Sequence, residues 1–314
     1  MDGNYLERRT IRRIALVTNP KAGKGRASAA ADEAQRHFRA RGIDVVGIAA
    51  STVDGMRKLI RKALSEPGLD AIVACGGDGL INQVVQEQAE RDLPLGIIPA
   101  GTGNDLAREF GIPTRVSKAV KIIADGFATR CDIGKLTQEN TGESNYFATI
   151  ACSGFDNICN ERTNSIKWPT GEAAICWPPL FELINYKPFP ATIDVDGKRV
   201  FDDDVVLCAA GITRTYGAGM YVCPDADHYD GLFDLTIVGA LNRRQFLMQM
   251  GKLIDGEHDG LLRCSTSAAR KSASISKAWT PGPTAISSSP TQPCWKSCRR
   301  AASTWFPAHK MTLR

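Results

Sequence analysis

The chain has 314 residues, of which 43% are hydrophobic and 23% charged, values typical of globular proteins with room for two domains. No run of about 18 apolar residues occurs, so a transmembrane helix is not expected. Nine of the 39 Lys and Arg residues lie after residue 260, and none of the 34 Asp and Glu residues does. The first 260 residues therefore carry a net charge of −4, which argues against nucleic-acid binding.

The cysteines and the amino terminus indicate a cellular compartment. None of the ten cysteines forms a Cys-x-x-Cys pair, and Cys75 and Cys208 lie in apolar, strand-like runs. We therefore expect buried thiols rather than disulfides or zinc ligands. Residues 1–9 contain no apolar signal core, so the sequence predicts a cytoplasmic protein.

Residues 12–130 alternate strand and helix patterns. The predicted strands are Ile14–Thr18, Ile43–Ala49, 71–74 and 95–98. The predicted helices are Ala27–Arg41, Val53–Ser65, one after each of the last two strands, and Val116–Ala124. This alternation predicts an α/β domain with a doubly wound parallel sheet and helices on both faces.

Three loops rich in glycine follow strands of this sheet. They are Asn-Pro-Lys-Ala-Gly-Lys-Gly at 19–25, Cys-Gly-Gly-Asp-Gly-Leu-Ile-Asn at 75–82 and Ile-Pro-Ala-Gly-Thr-Gly-Asn-Asp-Leu at 98–106. Ligands of such sheets bind outside the carboxyl ends of the strands, where all three loops would lie. Glycine lets a backbone approach a phosphate, and a helix that begins there offers unpaired N–H groups.

From residue 131 to about 262 the pattern becomes mostly β. Strands are predicted over 131–136, 145–151, 191–195, 205–210 and 232–238, with a hairpin turn at Asp196-Gly197 and one helix at Arg243–Ile254. We assign these residues to a second domain.

The three loops, in this order and spacing, resemble those of the diacylglycerol kinase catalytic domain family, which includes bacterial-type lipid kinases, sphingosine kinases and ceramide kinases. The resemblance runs from about residue 12 to about residue 260. It implies a fold like that of NAD kinase and diacylglycerol kinase, with a β-sandwich-like second domain. It also implies ATP-dependent transfer of the γ-phosphoryl group to a hydroxyl of diacylglycerol or a sphingoid base. The cofactors would be ATP and Mg²⁺, and the lipid substrate would be met at a membrane surface by peripheral association, in phospholipid biosynthesis.

The resemblance implies a nucleotide site built from four segments. Its residues would be Asn19, Pro20, Lys21, Ala22, Gly23, Thr52, Gly76, Gly77, Asp78, Gly79, Leu80, Ile81, Asn82 and Thr102. Asp78 is the candidate catalytic carboxylate, acting through Mg²⁺-bound water or by orienting the acceptor hydroxyl. Thr102 would bind the nucleotide or Mg²⁺-bound water. Ordinary tight turns are the alternative for the glycines, and helix N-capping is the alternative for Asp105.

A second metal site is implied at residues 224–232. The segment Pro-Asp-Ala-Asp-His-Tyr-Asp-Gly-Leu resembles a family segment that binds a structural Mg²⁺. Asp230 would contribute its carboxylate, and Asp227 and Leu232 their carbonyls. The alternative is a charged turn before a strand.

Residues 263–314 differ from the rest of the chain. Ten Ser residues and three of the five Trp residues lie between 264 and 305, with no strand-like alternation. We interpret this basic tail as the product of a shifted reading frame, and a natural disordered tail is the alternative. When the codons of residues 277–286 are read from their third base, the shifted frame permits Asp-Ala-x-x-Tyr-Gly-Asp. This sequence resembles the late acidic motif that supplies the family's general base. We interpret the proline-containing stretch 175–179 as the product of a similar shift. We expect no strands in the tail, and the late carboxylate is missing.

Two other functions stay open. An NAD kinase-like small-molecule kinase also carries a Gly-Gly-Asp-Gly loop. A catalytically dead relative that only binds lipid or nucleotide agrees with the missing base. The sequence does not fix which lipid is used or the oligomeric state, for which a homodimer is one candidate.

Overall fold

The structure, a computed structural model, describes residues 6–138, 142–154, 188–217, 219–257, 264–269, 272–276, 293–297 and 304–307. The chain divides into two compact units. The first contains the residues up to Ile133 and returns at the strand Thr304–Pro307, and the second runs from Gly134 to Arg299.

A four-stranded parallel sheet forms the centre of the first unit. The strands of this unit's amino-terminal part are β1 (Leu6–Arg8), β2 (Arg13–Thr18), β3 (Asp44–Ala49), β4 (Ala71–Gly76), β5 (Leu95–Pro99) and β6 (Phe127–Cys131). The sheet order is β3-β2-β4-β5, and every residue of β4 and β5 is buried. Such continuous apolar runs are expected of parallel strands that helices cover on both faces.

Five helices connect or follow these strands. They are α1 (Arg26–Arg39), α2 (Val53–Ser65), α3 (Asp78–Gln88), α4 (Asp105–Glu109) and α5 (Val116–Asp125). In α2 the buried residues Met56, Ile60 and Ala63 recur at helical spacing, so one stripe faces the sheet. Helix α1 packs against α5, and α2 packs against α3. Because crossovers between parallel strands are right-handed as a rule, and β3 and β4 lie on opposite sides of β2, these two pairs are expected on opposite faces of the sheet.

The second unit is a large antiparallel sheet. Its strands are β7 (Gly134–Gln138), β8 (Ser144–Phe147), β9 (Ile150–Gly154), β10 (Phe189–Val195), β11 (Lys198–Gly211), β12 (Phe233–Gly239), β13 (Cys264–Ala269), β14 (Ser272–Ser276) and β15 (Pro293–Ser297), and its helix is α6 (Arg243–Asp255). The strand order is β13-β12-β11-β10-β14-β15-β7-β8, with β9 also paired to β11. Alternate residues of β11 enter two apolar clusters, Cys208 with Ile237 in one and Ala209 with Val222 in the other.

The predicted fold class is confirmed, with a parallel α/β unit followed by an antiparallel sheet. The hairpin turn is confirmed as well, since Asp196 and Gly197 have φ angles of 49° and 79° and Val195 pairs with Lys198. Among the described residues, no helix is long and apolar enough to cross a membrane.

Two strands predicted as continuous are each divided. The run 131–136 breaks at Asp132-Ile133, because β6 and β7 belong to different sheets. The run 145–151 breaks at Ala148-Thr149, because β8 pairs with β7 whereas β9 pairs with β11. An apolar pattern continues through both breaks, so the sequence does not reveal the change of partner. The interpretation of residues 175–179 lies outside the described residues.

The expectation that the tail forms no strands is wrong for its described residues. Strand β13 pairs with β12, β14 lies between β10 and β15, and the last strand, β16 (Thr304–Pro307), pairs with β6. Ladder pairing requires backbone groups rather than a particular side-chain alternation, so these segments can extend existing sheets. The shifted reading frame concerns the coding sequence and stays a prediction.

Strand β6 lies between β1 and β16, and this arrangement can be tested. In a chain that ends at Ser303, the amides of Phe127–Cys131 that face β16 should exchange with solvent about tenfold faster, because their acceptors are gone. A chain that ends at Pro307 keeps β16 and is the control. Hydrogen exchange followed by mass spectrometry measures the difference, and equal protection in the two chains would contradict the pairing.

Candidate functional site

The three glycine-rich loops lie together at the carboxyl edge of the parallel sheet. Strands β2, β4 and β5 end level with one another, because Thr18 pairs with Cys75 and Gly76 pairs with Pro99. The second and third loops are joined by a hydrogen bond of 2.9 Å, which the amide of Ala100 donates to the carbonyl of Gly76.

Contact between the second and third loops requires two glycines. A Cβ placed on Gly101 would lie 2.3 Å from the Cα of Gly77, and a Cβ on Gly77 would lie 3.0 Å from the Cα of Gly101. The obstacle in each case is backbone, which cannot move aside as a side chain can. The first loop adjoins them, since a Cβ on Gly23 would lie 3.6 Å from the carbonyl oxygen of Ala100.

The first loop is held by its own turn. The side-chain oxygen of Asn19 accepts a hydrogen bond from the amide of Lys21 (3.0 Å), and its carbonyl accepts one from the amide of Ala22 (3.0 Å). Pro20 fixes the backbone between them. Gly23 has a φ of 59° within a 3-10 helix, Ala22–Gly25, and Gly25, with a φ of 90°, is the N-cap from which α1 begins.

Asp78 stands at the beginning of α3 and is partly buried. Its Oδ1 accepts a hydrogen bond of 3.3 Å from the amide of Leu106, which links the second loop to α4. Burial and the nearby carboxylate of Asp105 raise the pKa of Asp78, while backbone N–H donors oppose that rise. A raised pKa at this position makes the Asp78 carboxylate a candidate partner for a cation.

The third loop is closed by Asn104 and Arg108. Asn104 has a φ of 53°. Its side-chain oxygen accepts a hydrogen bond from the backbone amide of Gly101 (2.9 Å), and its side-chain nitrogen donates one to the carbonyl of Gly101 (3.0 Å). Arg108 binds Asp105 at 2.6 Å and donates to the carbonyl of Gly103 at 2.8 Å. Thr102 at the tip of this loop is exposed. Asp105 therefore lies inside the first turn as an ion-pair partner, and the N-cap position belongs to Asn104.

Thr52 follows β3 and begins α2. Its hydroxyl oxygen accepts a hydrogen bond of 3.3 Å from the amide of Gly55, so Thr52 is the N-cap of that helix. Asn82, also predicted as a site residue, lies exposed on α3, where its side-chain oxygen accepts from Gln86 at 3.0 Å. The remaining predicted residues of the second loop, Gly79, Leu80 and Ile81, form the first turn of α3.

The predicted metal ligands belong to the second unit, where they form one tight turn. The carboxylate of Asp230 accepts from the amide of Leu232 (2.8 Å), and the carbonyl of Asp227 accepts from the amide of Asp230 (3.4 Å). No cluster of three or more His, Cys, Asp or Glu side chains suited to a metal occurs in the part of the chain that the structure describes. A divalent ion here would therefore need the backbone carbonyls of Asp227 and Leu232 as well as the Asp230 carboxylate, a donor set that suits Mg²⁺ or Ca²⁺.

Asp234 adds negative charge beside this turn. Burial raises its pKa to about 6, and the carboxylates of Asp230, Asp225 and Asp227 contribute to the rise. The concentration of carboxylates fits a site that attracts a cation. Sequence reasoning missed Asp234 because it lies within β12, where an alternating strand pattern gives no sign of its burial.

Two family models match the chain. The first describes a diacylglycerol kinase catalytic domain and matches residues 13–136. The second describes a YegS C-terminal NAD kinase beta sandwich-like domain and matches residues 149–272.

Curated relatives extend over most of the chain. A diacylglycerol kinase of Mycobacterium tuberculosis is 39% identical over 271 residues, which cover 86% of this chain and 87% of the relative. A diacylglycerol kinase of Bacillus subtilis is 29% identical over 252 residues, covering 79% and 80% of the two chains. Among solved structures, a diacylglycerol kinase from Bacillus anthracis str. Sterne superposes with a TM-score of 0.74 at 22% identity, over 98% of this chain and all of that one, which indicates a shared fold.

The contact between Gly77 and Gly101 predicts the effect of one added methyl group. Gly101→Ala should lower the free energy of unfolding by about 1–3 kcal/mol, because backbone must move to admit the Cβ. Gly79→Ala is the matched control, since its Cβ would meet nothing within 4 Å, and it should change stability by less than about 1 kcal/mol. Urea unfolding of both variants measures the difference. Wild-type stability in Gly101→Ala would contradict the contact.

The raised pKa of Asp234 predicts a pH-dependent stability. The folded protein binds the proton of the Asp234 carboxyl more tightly than the unfolded chain does. Protonation of Asp234 therefore stabilises the fold fully below its ordinary pKa of 3.8, and this stabilisation is lost as the pH rises towards about 6. Asp234→Asn should therefore melt about 2–4 °C above the wild type at pH 7 in EDTA, and this gap should close towards pH 4.5. Millimolar Mg²⁺ should narrow the gap at pH 7 by neutralising the carboxylates.

Calorimetric melting temperatures across this pH range test the Asp234 prediction. Asp255→Asn, at the exposed carboxyl end of α6, controls for the loss of one surface charge. A gap between Asp234→Asn and wild type that is the same at every pH would show that the titration of Asp234 is not its cause.

Proposed function

Since this chain belongs to the diacylglycerol kinase catalytic domain family, we propose that it is an ATP-dependent lipid kinase that transfers a phosphoryl group to the hydroxyl of diacylglycerol. The observation that carries the proposal is the contact of the three loops at the carboxyl edge of the sheet. A sphingoid base is the alternative acceptor of the phosphoryl group. The names of the curated relatives favour diacylglycerol.

The nucleotide phosphates would bind where the second and third loops meet. Gly76, Gly77 and Gly79 present no side chain there, and the amino-terminal turn of α3 directs its dipole towards an anion. The first loop, from Asn19 to Gly23, would border the nucleotide on one side. The exposed hydroxyls of Thr52 and Thr102 would provide further hydrogen bonds.

Asp78 would be the catalytic carboxylate of this site. Mg²⁺ bound with ATP would neutralise charge on the phosphates. Asp78 would hold the ion's water shell or orient the lipid hydroxyl, and its fixed position at the start of α3 makes either role possible without rearrangement. The Asp105–Arg108 pair would keep the third loop closed around it.

A second Mg²⁺ would bind at the turn formed by Asp227, Asp230 and Leu232. Its role would be structural, because an ion that binds only the folded state stabilises that state. The carboxylates that raise the pKa of Asp234 support this assignment.

The catalytic rate of this chain is expected to be low. No Asp or Glu follows Asp259, so the general base that the family's late acidic motif would supply is missing. Loss of a general base costs about 10²–10⁴-fold in rate.

The protein would act from the cytoplasm on lipid at a membrane surface, without a nucleic-acid partner. The oligomer that we propose is a homodimer.

A substrate panel tests the proposed function. Purified protein is incubated with Mg²⁺, γ-labelled ATP and one of three acceptors: diacylglycerol in mixed micelles, a sphingoid base in the same micelles, or NAD. We expect label in diacylglycerol. The same assay on a protein expressed after insertion of one base near codon 262, which makes translation continue from the third base of each present codon, should be faster by about 10²–10⁴-fold, because the shifted frame restores a late carboxylate.

The variant Asp78→Asn controls for the site. It keeps the shape of the side chain, so urea unfolding should be unchanged, while transfer should fall by at least about 10²-fold. Label in NAD but in neither lipid would favour the NAD kinase-like alternative. ATP binding without transfer by either form of the protein would favour a non-catalytic relative.

A further inference from the structure

Helices α2 and α3 are joined by an ion cluster around Glu87. One carboxylate oxygen of Glu87 lies 2.6 Å from Nε of Arg57, and the other lies 2.5 Å from Nε of Arg61. A third contact of 3.0 Å runs from Arg61 to the first oxygen. The side chain of Glu87 is only 8% exposed, although it lies on a helix that faces solvent elsewhere.

The cluster keeps Glu87 ionised in spite of its burial. Burial alone would raise the pKa of Glu87, but hydrogen bonds and charge from Arg61 and Arg57 outweigh it and hold the pKa below its ordinary value. Both carboxylate oxygens are used, so rotation of the side chain is restricted. The cluster therefore fixes the orientation of α2 relative to α3 as well as the distance between the two helices.

Arg91 joins the same two helices nearer their carboxyl ends. Its guanidinium donates to the backbone carbonyl of Glu87 (3.1 Å) and to that of Leu64 at the end of α2 (3.3 Å). Helices α2 and α3 are thus held at two levels along their length. Rotation of one helix against the other would break contacts at both levels.

The amino termini of these helices both carry proposed site residues. Thr52 begins α2 and Asp78 begins α3. Arg57 lies about 7.5 Å along α2 from its start, and Glu87 about 13.5 Å along α3 from its start. A helix is stiff over such lengths, so a shift at the cluster moves the amino terminus as well.

The sheet gives no direct connection between these two positions. Strand β3, which leads to Thr52, does not pair with β4, which leads to Asp78, because β2 lies between them. The helix contact is therefore the direct link between the Thr52 end and the second loop. Buried ion clusters often contribute little net stability compared with apolar packing, but they specify geometry.

We propose that Glu87 is a positioning residue that, through Arg57 and Arg61, sets the distance between Thr52 and the second glycine loop and so the affinity for ATP. This inference rests on the proposed function, because it assumes that ATP binds at these loops. Glu87 itself does not touch the nucleotide.

The test measures ATP affinity by isothermal titration calorimetry with Mg²⁺ present. Glu87→Gln should raise the Kd for ATP about tenfold, because misplacement of binding groups by a fraction of an ångström is costly. Arg61→Gln retains the Arg57 contact and should raise the Kd about threefold. Because Arg61 is more than half exposed, this variant decides the question if Glu87→Gln does not fold.

A matched control separates positioning from stability. Val120→Ala removes buried apolar volume on α5, which packs against α1 and β5. It should lower the melting temperature at least as much as Glu87→Gln does, yet leave the Kd within about twofold of wild type. An equal rise in Kd for Val120→Ala would overturn the positioning role.

A double-mutant cycle tests the route through Thr52. Thr52→Val alone should weaken ATP binding, and adding Glu87→Gln to it should change the Kd by less than about twofold further, because the distance being set no longer matters. Additive losses would overturn the inference. If the wild type binds no ATP, the proposed function fails and this inference with it; if it binds ATP and Glu87→Gln binds equally well, only this inference fails.

Discussion

The first unit depends on the close approach of two backbones at Gly77 and Gly101. Neither position tolerates a Cβ without displacement of the other chain segment. The approach lets the amide of Ala100 reach the carbonyl of Gly76, and it sets the third loop where Asn104 can close it. A steric requirement between two main chains, rather than a strong attraction, thus determines the geometry of the proposed phosphate site.

Among the described residues, some carboxylates are paired with arginine, and others are not. In the first unit, Asp105 and Glu87 each face arginine, so nearly buried negative charge is compensated within the chain. In the second unit, Asp234 lies near three other carboxylates, and burial together with their charge raises its pKa. Carboxylates paired with arginine define fixed structure, whereas those with a raised pKa, Asp234 and also Asp78 in the first unit, are the better candidates for binding an exchangeable cation.

Much of the first unit could be predicted from sequence because its signals are local. Apolar runs gave the parallel strands, glycine and asparagine gave the loops, and the bounds of α2 agree with those predicted. The division of 131–136 and 145–151 into separate strands could not be predicted, because it depends on which distant strand each half pairs with. The same holds for Glu87, which meets Arg57 across 30 positions of sequence. The Asp105–Arg108 pair, by contrast, is visible as an i,i+3 spacing.

Strand β16 has a consequence for how the protein is made. The first unit holds both β6 and β16, with the whole second unit lying between them in the chain. At about 5–20 residues per second, a ribosome needs roughly 10–30 s after finishing β6 before β16 emerges. During that interval β6 has β1 on one side and an unsatisfied edge on the other. The amino-terminal unit is therefore completed only after the second unit has been synthesised, and the nascent chain passes through a stage in which this edge can be recognised by a chaperone or by another nascent chain.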